Sequence, residues 1–112
     1  METIRWQDFV RVDIRVGRIV SAEVFAAARK PAYVLRVDFG PEIGERTSSA
    51  QITGRYRPEE LVGRLVVGVV NLPEQRIGPL CSGCLITGFP DDNGEVVLCV
   101  PDKPVQPGAR LF

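Results

Sequence analysis

A chain of 112 residues can bury one hydrophobic core and not two, so a single domain over residues 1–112 is expected, small enough that a second copy would add stability. Fourteen basic and fourteen acidic residues give a formal net charge of zero, which excludes capture of an anionic partner by the field of the whole molecule and leaves that task to a local patch. The absence of histidine excludes His-based acid–base catalysis, any Ser-His or Cys-His dyad, and the commonest zinc ligand.

Thr3 is placed to cap a short amphipathic helix in which Trp6, Phe9 and Val10 share one face by the i, i+3, i+4 rule. That stripe needs a cover. Val12, Ile14 and Val16 then alternate with Asp13 and Arg15, and the apolar phase slips to Ile19 across Gly17 and Arg18. A β-bulge at Gly17 is therefore predicted, which lets one long strand curl and serve two sides of a barrel. Residues 25–31, FAAARKP, form a loop or a single helical turn ended by Pro31. A second strand follows, in which Tyr33, Leu35, Val37 and Phe39 alternate with Val34, Arg36 and Asp38, and Gly40, Pro41 and Gly44 mark the turn after it.

Residues 46–51, RTSSAQ, offer hydroxyls and an amide where a sheet strand normally carries branched apolars. The strand is read as a surface that touches a ligand, against the alternative of a polar edge strand. After it, Pro58 fits the first position of a short helix, Glu59 and Glu60 complement its positive end, Tyr56 and Leu61 stand at hydrophobic-staple spacing, and Gly63 ends it. Residues 65–72 are nearly all apolar and read as a strand covered on both faces. Two short strands, 85–89 and 96–100, flank a Pro-Asp-Asp-Asn-Gly turn at 90–94. The tail carries Pro101, Pro104 and Pro107 at every third position and reads as an extended arm lying on its own or a partner's barrel, ahead of a polyproline II ligand.

Six or so strands, a bulged first strand, a short N-terminal helix and a short helix between strands 3 and 4 predict an all-β fold, a small Greek-key OB-type barrel. The absence of alternating long helices excludes a doubly wound fold.

The chemistry is that of a surface. Cys81-Ser82-Gly83-Cys84 is a C-x-x-C, but the β-like sequence after it supplies no helix N-terminus to lower a thiol pKa, and only Cys99 remains as a further cysteine ligand, so neither a redox pair nor a metal site is favoured. Cys99 reads as a core residue. No carboxylate pair is set for acid–base work and no glycine-rich phosphate loop is present, so no catalytic residue, cofactor or metal is expected. No stretch resembles a signal peptide or a membrane span, and three cysteines in a chain that needs no staples fit reduced thiols and a cytoplasmic location. What remains is Arg29, Lys30, Ser48, Ser49, Gln51, Arg55, Tyr56, Asn71, Arg76 and Ser82, which an OB barrel can bring to one side to bind an oligonucleotide, with Tyr56 either stacking on a base or held in the staple. Trp6 and Phe9 are the candidate dimer interface.

With these residues in view, nearly the whole chain resembles the CsaA family, export-related chaperones within the wider tRNA-binding-domain group. Asp13-Ile14-Arg15-Val16-Gly17 resembles the group's opening motif, Val37-Asp38-Phe39-Gly40 its second strand, and Tyr56-x-Pro58-Glu59-x-Leu61 its short helix. Asn71, Arg76 and Ser82 resemble the Asn, basic residue and Ser placed around the group's RNA site. Residues 25–31 replace the usual His-Pro-x-Ala-Asp, and residues 48–53 replace the usual Ser-Gly, both in the manner of CsaA. Cys84 stands where many tRNA binders carry a Met. The resemblance implies a homodimer, a hydrophobic peptide pocket on each subunit for unfolded or export-bound polypeptides, and binding of tRNA by shape. The readings left beside it are a purely structure-specific tRNA binder and, as a minor one, a C-x-x-C thiol oxidoreductase.

Overall fold

The longest element, β1 (Ile14–Val24), carries the barrel on both of its edges. In the computed structural model, which describes residues 1–112, β2 (Tyr33–Asp38) pairs antiparallel with the second half of β1, and β4 (Leu65–Val69) pairs antiparallel with the first. β3 (Glu45–Ala50) lies outside β2 and β7 (Leu85–Ile86) outside β4, giving the order β3-β2-β1-β4-β7. The last gap is bridged through Gly83, whose N–H donates to the Thr47 carbonyl at 2.8 Å. Arg46 reinforces the closure by donating from Nη1 to the carbonyls of Val70 (3.3 Å) and Gly83 (3.1 Å). The fold is thus all-β, a nearly closed five-stranded barrel of OB type, as the strand pattern predicts.

The alternation of β2 sends Tyr33, Leu35 and Val37 inward, and with Ile19, Phe39, Leu61 and Val66 they fill the core. The bulge lies elsewhere than expected. The register of β1 against β2 slips between Ile19 and Ser21, not at Gly17. Gly17 is paired with Val66 in the unbroken half of β1, and a Cβ there would stand 2.5 Å from Val37 Cγ1 and 2.8 Å from Phe39 Cε1. Its glycine serves the close packing of two core side chains; the phase change seen in the sequence was real, but placed three residues too early.

The N-terminal helix, α1 (Trp6–Val10), starts later than a Thr3 cap requires. Arg5 occupies the cap position and its N–H donates to the Asp8 carboxylate at 3.1 Å. The acid at the third helical position thus satisfies the N–H of the cap residue, in place of the side-chain cap expected from Thr3. The turn after β2 is a single helical turn, α2 (Gly40–Ile43). α3 (Pro58–Leu61) has Pro58 at its first position, as expected, and Gly63 follows with φ +91° and donates its N–H to the Ile19 carbonyl at 2.7 Å, tying the helix to β1.

Between β4 and β7 lies a hairpin that the sequence did not announce, β5 (Gln75–Ile77) with β6 (Leu80–Ser82), turning at Gly78 (φ +58°) and Pro79. The strand expected over 85–89 is split into β7 and β8 (Gly88–Pro90), and β8 pairs with β9 (Val96–Leu98) around the turn at 90–94. The tail is the extended arm foreseen, and it lies on its own barrel. Gly108 N–H donates to Val16 O (2.8 Å), Val16 N–H to Ala109 O (2.9 Å) and Leu111 N–H to Ile14 O (2.8 Å), so the arm takes the edge of β1 that β2 has left. Arg15 holds it there, donating to Asp13 Oδ1 at 2.6 Å and to Gly108 O at 3.0 Å. The Arg15 guanidinium holds the Asp13 carboxyl below its ordinary pKa. No helix is long and apolar enough to cross a membrane.

Candidate functional site

The polar strand β3 divides its residues by the two-residue period of a sheet. Ser48 and Ala50 turn inward, whereas Thr47 and Ser49 face out and Gln51 follows beyond the strand. Ser48 is 2% exposed and donates its hydroxyl to the Ser49 carbonyl, so it is a core residue and not a contact for a ligand. Ser49 is the pivot of the site. It lines two concave regions at once, and Ile77 of the β5–β6 hairpin lines both as well.

The first cleft, of about 370 Å³, is formed by Ser49, Leu72, Pro73, Gln75, Ile77, Ser82, Cys84 and Leu85. The second, of about 540 Å³, is formed by Ala27, Ala28, Ala32, Ser49, Gln51, Ile77 and Gly78, with Arg29 and Lys30 on its wall. Both volumes fall within the roughly 300–1,000 Å³ typical of ligand sites. Arg29 and Lys30 form no ion pair, whereas Arg15, Arg36, Arg55 and Arg110 are each engaged with a carboxylate. The second cleft therefore keeps two free cations, while the first is the more apolar.

Of the residues expected at the site, Arg29, Lys30, Ser49, Gln51, Ser82 and Cys84 are brought together in these clefts. Arg76 is near but not within them: it pairs with Cys81 across the hairpin, on the face opposite Gln75 and Ile77. Three others have structural tasks. Asn71 accepts the Asp13 N–H at 2.9 Å and donates to the Arg11 carbonyl at 2.7 Å, joining the end of β4 to the start of β1. Arg55 donates to Asp91 from Nε at 2.8 Å and also from Nη2, clasping the β8–β9 turn, where Asp91 further accepts the N–H groups of Asn93 and Glu95. Tyr56 accepts the Leu98 N–H on its hydroxyl, packs against the core and carries the Arg64 guanidinium 5.4 Å from its ring centroid, so the ring is engaged from within the protein. Sequence reasoning missed Leu72, Pro73, Gln75, Ile77 and Leu85. The one signal for them was the Gly78-Pro79 pair in a short polar segment, which marks a hairpin turn.

The thiols are set against redox chemistry. Cys84 is buried in the floor of the first cleft, and burial pushes its thiol up to about 11, with Ser48 and Arg46 pulling the other way. Cys81 is exposed and donates its S–H to Glu74 Oε2 at 3.1 Å, a bond to an anion that also raises its pKa. A reactive pair needs the opposite shift. No three His, Cys, Asp or Glu side chains gather in a way that could hold a metal ion.

A second apolar surface lies where the chain's two ends meet. Trp6, Phe9, Val10, Val12, Leu111 and Phe112 line a groove of about 420 Å³ with Arg110, and Trp6 is 66% exposed. The Trp6 and Phe9 rings meet tilted at 45°, with centroids 5.2 Å apart.

Comparison with known proteins agrees with this geometry. The sequence model of the "Putative tRNA binding domain" matches residues 14–110. The crystal structure of the chaperone CsaA from Bacillus anthracis superposes with a TM-score of 0.92 at 40% identity, covering 99% of this chain and 100% of that one. The CsaA chaperone protein from Picrophilus torridus gives 0.91 at 40% identity, covering 98% of this chain and 100% of that one. The methionine–tRNA ligase of Pyrococcus horikoshii is 38% identical over 112 residues, 99% of this chain but 15% of that enzyme, so the likeness is to a small part of the ligase's length. The chain belongs to the tRNA-binding-domain family of OB folds and, within it, to the CsaA group.

Proposed function

We propose that the protein is a non-catalytic, homodimeric binding domain that holds tRNA at the joined clefts and shelters apolar segments of unfolded or export-bound polypeptides as a chaperone. The observation that carries this reading is the meeting of two clefts at Ser49 and Ile77, one walled by unpaired Arg29 and Lys30 and the other lined by Leu72, Pro73 and Leu85. Cations without internal partners suit phosphates, and an open apolar floor suits an unfolded chain. The raised thiol pKa values argue for binding over oxidoreductase chemistry. A cytoplasmic setting, in which the three free cysteines stay reduced, belongs to the same proposal.

The homodimer is proposed at the groove of Trp6, Phe9 and Phe112. Its one charged member, Arg110, already donates to the Val10 carbonyl at 2.7 Å and stands 3.6 Å from Asp13 Oδ1. The groove can therefore be covered without stranding a charge.

Because the clefts share two residues, tRNA and peptide should compete. The test is fluorescence anisotropy with labelled tRNA at low salt, followed by addition of an unfolded apolar peptide. Displacement supports joint occupancy. Peptide binding without any tRNA binding would refute the RNA half of the proposal, and tRNA binding that peptide never perturbs would leave a purely structure-specific tRNA binder.

A further inference from the structure

The alanine-floored cleft differs from its neighbour in being small-walled, cationic at one side and furnished with polar groups that nothing in the protein uses. Ala27, Ala28 and Ala32 line it, Ser49 and Gln51 stand beside them, and neither the Ser49 hydroxyl nor the Gln51 amide engages in a hydrogen bond within the protein. A duplex presents a convex cylinder of phosphates with its bases turned inward, so it could reach Arg29 and Lys30 but could bury nothing on the alanines. An unpaired nucleotide can. Its base can enter the cleft and cover the apolar floor, its edge can meet a side-chain amide that both donates and accepts, and its flanking phosphates fall within reach of the two cations.

We propose that the cleft walled by Arg29 and Lys30 is a pocket for one extruded, unpaired nucleotide, with Gln51 and Ser49 at the base edge, an inference that rests on the RNA-binding reading and narrows it. The pocket has no aromatic platform, since no aromatic side chain is among the residues that line it. Affinity for the base comes from apolar burial and edge hydrogen bonds in place of stacking.

The experiment measures anisotropy of three probes at one salt concentration: a single-stranded RNA decamer, a blunt RNA duplex with the same number of phosphates, and intact tRNA. The variants are Ala27→Leu, at an exposed position where a larger apolar side chain fills the cleft without offering a ring, Gln51→Ala, and the double change Arg29→Gln with Lys30→Gln. Circular dichroism confirms that each is folded. The decamer should bind about tenfold tighter than the duplex, the low end of what one bidentate side-chain contact to a base edge contributes. Ala27→Leu should abolish that preference while leaving duplex binding unchanged, Gln51→Ala should reduce it, and the double change should weaken all three probes. Equal binding of decamer and duplex, or a preference that survives Ala27→Leu, overturns the pocket while tRNA binding stands. Failure of every RNA, tRNA included, overturns the RNA reading itself.

Discussion

The Tyr56 hydroxyl accepts the Leu98 N–H at 3.0 Å, joining the loop before α3 to β9 across the barrel end, and the Tyr56 carbonyl accepts the Tyr33 hydroxyl at 2.7 Å. The residue that could have stacked on a base is instead a hinge point of three elements. Tyr56→Phe keeps the ring packed against the core but leaves the Leu98 N–H unpaired in a buried position. The cost should be about 1–3 kcal/mol in chemical denaturation, the penalty of an unsatisfied buried donor, with RNA affinity unchanged. A loss of RNA affinity at unchanged stability would return Tyr56 to the binding surface.

Trp6 reports on assembly. If the terminal groove is covered by a second copy, Trp6→Ala removes a large ring from the centre of the contact, and such anchors cost about 2 kcal/mol or more, a dissociation constant raised about thirtyfold. Light scattering at low micromolar concentration should show the mass moving toward that of the monomer. An unchanged dimer mass would take α1 out of the interface and leave the C-terminal arm as the better candidate.

Much of the fold was legible because its signals are periodic. The alternation in β2, the proline that opens α3 and the turn at 90–94 each bind a local pattern to a local geometry, and each is found where the sequence placed it. The bulge in β1 was legible only as a change of phase: the sequence shows that the inward face switches but not which residue absorbs the slip, and a glycine that packs looks the same as a glycine that bends. The candidate clefts were legible only in part. Arg29, Lys30, Ser49 and Gln51 stand out as polar residues with no local task, but Asn71, Arg55 and Tyr56 look alike in sequence and find partners at separations of 58, 36 and 42 residues, which no local window can see. Ser48 was misplaced because hydroxyls mark polarity but not side; its position one step out of phase with Ser49 decided the matter.

Cys84 gives the stability an alkaline limb. Its thiol is raised from the ordinary value of 9.0 to about 11 by burial, so between those values the unfolded chain sheds its proton while the folded chain keeps it. The unfolded state then binds fewer protons, and stability falls as pH rises, by about 1.4 kcal/mol per pH unit from this group. The contribution is intact below about pH 9 and lost through pH 11, and urea midpoints across that range should flatten in Cys84→Ser. Cys81→Ser, at an exposed position on the hairpin's outer face, should leave RNA binding intact. Lost binding together with a two-electron redox titration of the pair would restore the oxidoreductase reading.

Salt dependence separates the cations that meet RNA from those that hold the fold. A protein of zero net charge has no long-range field to draw tRNA in, so binding must rest on a few local contacts, each contributing about 0.7–0.9 to the slope of log K against log salt. The slope should be shallow. Arg29→Gln with Lys30→Gln should lower it by about 1.4–1.8, twice the single-contact value, because both side chains wall the second cleft and neither has an acid to neutralise it. Arg76, on the outer face of the β5–β6 hairpin, tests how far the RNA extends: a tRNA larger than the clefts should fold over the hairpin, and Arg76→Ala should then lower the slope by about one. Arg110→Ala should leave it unchanged, since that guanidinium stands against Asp13 and the Val10 carbonyl at the other end of the chain's pairing with β1. If Arg110→Ala lowered the slope as much as the cleft substitutions did, RNA would be held by diffuse charge over the surface, and the joined clefts would lose their claim to the ligand.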